Sequence, residues 1–186
     1  VNAYFGTSVS SAGDVNGDGY SDVIVGAPYF DNGFTDEGAA FVYHGSASGL
    51  SATAGWSGES NQESALFGLS VSGAGDVNGD GYSDLIVGAR DFDNGQTDEG
   101  AAFVYHGSGS GISLSFSWSS EINQANSQYG FSVSSAGDVN GDGYSDVIVG
   151  ANNYYNGVSG EGAAFVHYGS VSGLSLSSDW SVESNQ

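Results

Sequence analysis

The sequence lacks cysteine, and Arg90 is its single Lys or Arg residue. Without cysteine the chain has no disulfide, no thiol nucleophile and no thiolate metal site. Because 22 acidic residues bring the formal net charge to −21, repulsion argues against nucleic-acid partners and anionic membrane surfaces. No apolar run approaches the roughly 18 residues that a membrane span needs, and the sequence does not start with the pattern of a signal peptide.

Glycine is abundant, at 32 residues, and hydrophobic residues make up 39% of the chain, which predicts a folded protein with many turns. A decapeptide, Gly-Asp-Val-Asn-Gly-Asp-Gly-Tyr-Ser-Asp, begins at Gly13, Gly75 and Gly137, with a spacing of 62 residues each time. Repeats of this length indicate an array of similar structural units. The sequence therefore predicts three units, at residues 1–62, 63–124 and 125–186.

Each unit contains four apolar stretches separated by turn residues. In the first unit three of them are residues 5–12, 23–27 and 39–44, and the second of these is a β-branched run typical of a strand buried on both faces. The fourth is clearest in the second unit, where serines alternate with the apolar residues Ile112, Leu114, Phe116 and Trp118. Because period-two alternation is typical of strands, we predict an all-β fold with four strands per unit.

Four short strands per repeat fit a β-propeller blade better than a sandwich. In such a meander the first and third connections lie on one face of the disc, and the second and the unit-to-unit connections lie on the other. Closed propellers have about 4–8 blades, and three blades leave apolar faces in water. We therefore predict three four-stranded blades per chain and a homodimer that closes a six-bladed ring. The alternative is a fragment of a longer array.

The repeated decapeptide has the spacing of a calcium loop. Residues 14–22 place oxygen-bearing side chains at positions 1, 3, 5 and 9, glycine at position 6 and a backbone carbonyl at position 7. Hard oxygen ligands suit Ca²⁺, and three carboxylates around one point repel each other without a cation. We predict one Ca²⁺ per blade, three per chain, with Mg²⁺ or a simple turn as alternatives. The predicted ligands are Asp14, Asn16, Asp18, Tyr20 and Asp22; Asp76, Asn78, Asp80, Tyr82 and Asp84; and Asp138, Asn140, Asp142, Tyr144 and Asp146.

Two glycine motifs flank this loop, Phe5-Gly6 before it and Gly26-Ala27-Pro28 after it. In this respect the chain resembles the FG-GAP repeat of the integrin α-subunit β-propeller. The resemblance covers all three units and implies an extracellular module with an adhesion-type role. It also implies that the cation loop is structural and lies opposite the usual ligand surface. The corresponding residues are Phe67-Gly68 and Gly88-Ala89-Arg90 in the second unit, and Tyr129-Gly130 and Gly150-Ala151-Asn152, which depart further, in the third.

Three histidines and three tryptophans recur once per unit. We interpret His44, His106 and His167 as structural or surface residues, because the Tyr-His order is reversed in the third unit. The tryptophans predict either packing between adjacent blades or a sugar-stacking platform; they are Trp56, Trp118 and Trp180.

The leading functional prediction is a calcium-binding structural or interaction module, with a protein or glycan as a further partner. The connections at residues 29–37, 91–99 and 152–156 combine aromatic, amide and carboxylate side chains and suit ligand recognition. A lectin-like carbohydrate-binding role is the first alternative, and a hydrolase with paired carboxylates is the second. No catalytic residue and no organic cofactor are predicted.

Overall fold

A computed structural model describes residues 2–157 and 160–184, so residues 1 and 185–186, at the ends of the predicted first and third units, lie outside it. All the regular elements in these ranges are β-strands, and none of the described residues forms a helix that could cross a membrane. The strands form three four-stranded sheets. The first sheet contains β1 (Ser8–Gly13), β2 (Asp22–Ala27), β3 (Ala39–Tyr43) and β4 (Trp56–Glu59); the second contains β5 (Phe67–Gly75), β6 (Asp84–Ala89), β7 (Ala101–Tyr105) and β8 (Trp118–Ser120); the third contains β9 (Tyr129–Gly137), β10 (Asp146–Ala151), β11 (Ala163–His167) and β12 (Trp180–Glu183).

Each sheet is an antiparallel meander in which spatial order follows chain order. In the first sheet Val25 of β2 lies opposite Val9 of β1 and Phe41 of β3, and the equivalent residues pair in the other two sheets. The prediction of an all-β fold is confirmed. The β-branched run occupies an inner strand because such residues pack well on a pleated surface that is covered on both faces.

The prediction of the fourth strand is wrong in its position. In the second unit this strand begins only at Trp118, and the alternating residues before it lie in bends and irregular backbone. Leu114 is 92% exposed, whereas Ile112 is buried. The serines explain the error, because the Ser113 hydroxyl donates to the carbonyl of Ser115 at 2.8 Å. Local serine bonds of this kind give the backbone an alternative to a strand ladder.

The three sheets pack face to face in chain order, as propeller blades do. Two hydrophobic clusters fill the two junctions, and each cluster joins equivalent residues of consecutive sheets. Full burial of a large apolar side chain contributes about 1.5–3 kcal/mol, so these junctions are a main source of stability. The first junction includes Ile24, Val42 and Trp56 against Phe67, Val87 and Phe103; the second includes Ile86, Val104 and Trp118 against Tyr129, Val149 and Phe165.

The glycines of the two flanking motifs meet each other across the junctions. A Cβ atom built on Gly26 would lie 1.9 Å from the carbonyl oxygen of Gly68, and one on Gly88 would lie 2.0 Å from that of Gly130. Gly68 also has φ of +82°, a conformation that side chains disfavour. The two motifs are therefore the contact points that set the distance between consecutive sheets.

The connections divide between two faces of the stack as predicted. On one face, the amide of Gly45 in the third connection donates to Asp22 at the end of the first connection, at 2.8 Å. On the other face, the Ser60 hydroxyl in the inter-sheet connection donates to the carbonyl of Glu37 in the second connection, also at 2.8 Å. The predicted cation loops thus share one face.

Candidate cation loops

Each predicted cation loop is the turn between the first two strands of a sheet. In the first loop, residues 14–22, Gly17 and Gly19 have φ of +74° and +89°. These left-handed conformations cost little only for glycine, which explains the two glycines inside the acidic sequence. The second and third loops, residues 76–84 and 138–146, have the same conformation at their equivalent glycines.

The first carboxylate of the loop organises the turn. The Oδ1 atom of Asp14 accepts hydrogen bonds from the amides of Gly17 at 2.7 Å and Asp18 at 3.1 Å, and its Oδ2 accepts from Gly19 at 2.8 Å. Burial acts to raise the pKa of Asp14, but the backbone N–H groups of the loop outweigh it and hold this pKa below its ordinary value. The carboxylate is therefore ionised near neutral pH. Asp76 and Asp138 accept the same bonds.

The last carboxylate of the loop is buried. Asp22 is fully enclosed, and its two oxygens accept from the amides of Val15 at 3.0 Å and Gly45 at 2.8 Å. These bonds tie the loop to its own sheet and to the third connection. Asp84 and Asp146 are equally buried and make the equivalent bonds.

Negative charge accumulates around the second loop without a Lys or Arg residue to offset it. Burial raises the pKa of Asp84 to about 7, and the charges of Asp80 and Asp76 contribute to this increase. Arg90, the chain's single Lys or Arg residue, forms its ion pair with Asp91 at 2.7 Å, in the connection on the opposite face. A cation bound at the loop would lower this electrostatic repulsion.

The donor atoms of the loops are all oxygens, which is the chemistry that Ca²⁺ prefers. The Oδ1 atom of the first aspartate in each loop accepts two backbone N–H bonds, which use both of its lone pairs, but its Oδ2 atom accepts one and keeps a lone pair for an ion. Among the described residues, no group of three or more His, Asp or Glu side chains is placed so that it could hold a metal ion. The side chains therefore fit a hard cation by chemistry, while their role as ligands stays a prediction.

Contacts from the following sheet hold the first two loops. The Ser83 amide donates to the carbonyl of Asp14 at 3.0 Å, and the Ser108 amide donates to that of Val15 at 3.1 Å. The ring of Tyr82 lies beside Gly17, where an added Cβ would be 2.5 Å from the ring. We call these three interactions the cross-sheet loop contacts. In the second loop they are made by Tyr144, Ser145 and Ser170 to Gly79, Asp76 and Val77.

The third loop has no following sheet among the described residues, and its burial differs. Val139 is 54% exposed, whereas its equivalents Val15 and Val77 are completely buried. Sequence reasoning missed the cross-sheet loop contacts. No side-chain pattern could have revealed the two hydrogen bonds among them, because backbone amides donate both.

His167 has a structural role, as predicted. Its Nδ1 lies 3.0 Å from the carbonyl of Ser175, to which it donates, so Nε2 accepts from the Tyr129 hydroxyl at 2.8 Å. The first two units have Phe and Tyr at these two sites, and Phe67 packs edge-on against Tyr105. The reversed Tyr-His order in the third unit is therefore matched by the change from Phe to Tyr at position 129.

The tryptophans of the first two units pack between sheets. Trp56 and Trp118 are 6% and 5% exposed, and their indole N–H groups donate to the carbonyls of Ser113 and Ser175, each at 3.0 Å. The packing interpretation is confirmed for these two residues, whose rings are not available to stack on a sugar. Trp180 differs, because it is 47% exposed.

Comparisons with known proteins agree with this architecture. Residues 5–43 match the model described as FG-GAP repeat, and residues 76–149 match the model described as FG-GAP-like repeat. Integrin alpha-4 from Xenopus laevis is 36% identical over 81% of this chain, and human integrin alpha-7 is 36% identical over 79% of it. The chain spans 14% and 12% of the lengths of these two relatives. The chain therefore belongs to the FG-GAP repeat family and is similar to part of the integrin α subunits.

Proposed function

We propose that this chain is a calcium-binding, propeller-like module with a structural and adhesion-type interaction role, and that it is not an enzyme. The observation that carries the proposal is the threefold occurrence of one loop with only oxygen donors, the same hydrogen bonds and a buried closing aspartate. The similarity to proteins named integrin alpha supports an interaction role outside the cell. Residues 1–62, 63–124 and 125–186 would be its three blades.

In this proposal each loop supplies one Ca²⁺ site through its first, third, fifth, seventh and ninth residues. The buried aspartate fixes the loop on the sheet, and the exposed carboxylates attract the ion. Three divalent ions would change the formal net charge from −21 to −15. Since the unfolded chain does not hold this geometry, an ion at 100 times its Kd stabilises the fold by about 2.7 kcal/mol per site.

Calorimetric titration with Ca²⁺ and thermal melting test the proposal. We expect three bound ions per chain and a higher Tm in Ca²⁺ than in chelator. Asp80→Ala should remove one site, whereas Glu63→Ala, which removes an exposed acid outside the loops, should leave three sites. Equal melting curves in Ca²⁺ and chelator would contradict the proposal, and Mg²⁺ in place of Ca²⁺ shows which ion the loops select.

We also propose that a second copy of the chain is a partner and closes a six-bladed ring. One face of the first sheet is exposed, although the equivalent face of the second sheet is buried. Val9 on this face is 67% exposed, whereas its equivalent Val71 is 4% exposed. The third sheet exposes the opposite face, which includes Trp180. An added Cβ on Gly6 would contact nothing within 4 Å, although its equivalent Gly68 packs closely on the preceding sheet.

The two exposed faces are thus the two halves of the junction that the chain forms twice internally. Complementary faces at opposite ends allow a closed two-fold assembly. Sedimentation velocity at micromolar concentration should give a dimer. A monomer with unchanged secondary structure would contradict ring closure by two copies and favour further repeats of a longer array as the occupant.

A carbohydrate-binding role is the second candidate, and a cleft of about 740 Å³ between the first and second sheets favours it. Phe41, His44 and Leu114 line this cleft, together with several serines. Aromatic and polar side chains in one cleft are typical of small-molecule sites. Binding on a glycan array that His44→Ala abolishes would support this role, and an array without any signal would contradict it.

A further inference from the structure

We propose that the third cation loop is completed by the first sheet of a second copy, so that cation binding at this loop and closure of the ring are coupled. This inference rests on the proposed calcium function. It follows from the cross-sheet loop contacts, which hold the first and second loops and have no counterpart on the third within the described part of the chain.

The third loop presents the acceptors of these contacts to solvent. Gly137 and Gly141 have no atom within 4 Å of an added Cβ, whereas an added Cβ on their equivalents Gly13 and Gly17 would meet Ser83 and Tyr82 at 2.2 and 2.5 Å. Asp138 and Val139 are exposed, although Asp14 and Val15 are not. The apolar surface around Ala136, Ile148 and Trp180 next to this loop is likewise open, with a cavity of about 390 Å³.

The first sheet carries the missing donors. By repeat equivalence with Tyr82, Ser83 and Ser108, they are Tyr20, Ser21 and Ser46, and all three are exposed. If the sheet of a second copy docks in the internal register, the Ser21 amide donates to the carbonyl of Asp138 and the Ser46 amide to that of Val139. The Tyr20 ring then covers Gly141, and the indole of Trp180 donates to the carbonyl of Ser51.

The coupling has a physical cause at the loop itself. Two new backbone bonds and a covering ring restrict the third loop to the conformation of the other two and exclude water from it. An ion then interacts with the loop carboxylates in a medium of lower dielectric constant. By linkage, an ion that binds the closed ring more tightly than the open chain must strengthen the ring by the same factor. The ions also reduce the repulsion between two chains that each carry a formal charge of −21.

The test compares matched aspartate substitutions in two loops. Asp142→Ala removes a predicted ligand of the third loop, and Asp80→Ala removes the equivalent ligand of the second loop, whose cross-sheet loop contacts are all internal. We expect Asp142→Ala to raise the dimer dissociation constant in Ca²⁺ by about tenfold or more, and Asp80→Ala to leave it nearly unchanged. Sedimentation velocity in Ca²⁺ and in chelator measures this constant. Equal effects of the two substitutions would overturn the inference.

A second variant tests the same coupling from the side of the ion. Val9→Asp places a charge on the open face of the first sheet, at a side chain that is already exposed in the single chain, so the monomer should keep its fold. We expect Val9→Asp to be monomeric and to bind two Ca²⁺ ions normally and the third about tenfold more weakly.

Three Ca²⁺ sites of equal affinity in monomeric Val9→Asp would overturn the coupling but not the proposed calcium function. A wild-type dimer whose dissociation constant does not depend on Ca²⁺ would do the same. Absence of Ca²⁺ binding at every loop would overturn the proposed function as well. The failure of the inference and the failure of the function it rests on are therefore distinguishable.

Discussion

The second and third sheets have similar sequences and the same strand pairing, but different exposure. All six residues of β6 are buried, whereas Ile148 and Gly150 of the equivalent β10 are partly exposed. The two strands pair with their neighbours in the same order. This difference in exposure agrees with what covers each sheet, since within the described residues the second sheet has a neighbour on both faces and the third on one. Strand pairing is thus determined within a unit, whereas the burial of each sheet depends on its neighbours.

The largest difference in stability between the two sheets is expected at their tryptophans. In the monomeric Val9→Asp background, Trp118→Ala should lower the free energy of unfolding by about 3–5 kcal/mol, because it leaves a cavity in a closed junction. Trp180→Ala should cost about 1 kcal/mol or less there, since this ring is half exposed. Urea unfolding measures both values. If the two variants lose equal free energy of unfolding, Trp180 is buried in solution and its face of the third sheet is not open to solvent.

A smaller effect is expected at the glycines between sheets. Gly88→Ala puts a methyl group against the backbone carbonyl of Gly130 and should cost about 1–3 kcal/mol or more by forcing the sheets apart. The only close contact of a Cβ on Gly150 is the Ser132 hydroxyl at 2.4 Å, which can rotate, so Gly150→Ala should cost less than about 1 kcal/mol in the same monomeric background. Thermal melting measures the difference. If both substitutions change the Tm equally, the close approach of the sheets is not the reason that position 88 requires glycine.

His167, which the second sheet lacks, should make the stability of the fold depend on pH. Burial lowers the pKa of this imidazole in the folded state, whereas the unfolded imidazole titrates near pH 6.5. Below that pH the unfolded state binds a proton that the folded state resists, so stability falls as the pH decreases from about 6.5 through the lowered folded pKa. The slope cannot exceed about 1.4 kcal/mol per pH unit for one proton.

The matched control restores the residues of the second unit. The double variant Tyr129→Phe, His167→Tyr reproduces the pair Phe67 and Tyr105, which pack edge-on in the second sheet. We expect this variant to remain folded and to show a shallower loss of stability between about pH 6.5 and pH 5. Unfolding in urea at several pH values tests it, and identical slopes for wild type and double variant would exclude a contribution of His167.

The smallest effect is expected at Leu114. This side chain is 92% exposed in the irregular segment before β8, so Leu114→Ser should change the free energy of unfolding by no more than about 0.5 kcal/mol. A loss of 2 kcal/mol or more, the range typical of buried leucines, would instead support the half-buried strand that the alternating sequence predicts.

The first three strands of each unit could be predicted from the sequence because their signals are local. The run Val23-Ile24-Val25 and the turn around Gly17 and Gly19 each determine a short segment through nearby atoms alone. The sequence also predicts the division of the connections between two faces, because a meander with short connections allows no other arrangement. The fourth strand could not be placed, because serines such as Ser113 bond locally and imitate a strand pattern.

The sequence predicts that tryptophans pack between sheets, but it does not identify the hydrogen-bond partners there. Trp56 donates to Ser113, which is 57 residues away, and Val71 donates to the hydroxyl of Ser8, 63 residues away. No local pattern identifies such partners. Nor could the reversed order at His167 be linked to Tyr129, because the two residues are 38 positions apart and meet only when β9 and β11 share a sheet.

The bond from each buried indole has a consequence for how such chains can change. Trp56 and Trp118 each reach an acceptor one repeat ahead, at Ser113 and Ser175. A duplication or deletion of one complete repeat in the gene would therefore leave every indole except that of the last repeat with an equivalent acceptor. The array can therefore lengthen or shorten by whole repeats without a new kind of interface.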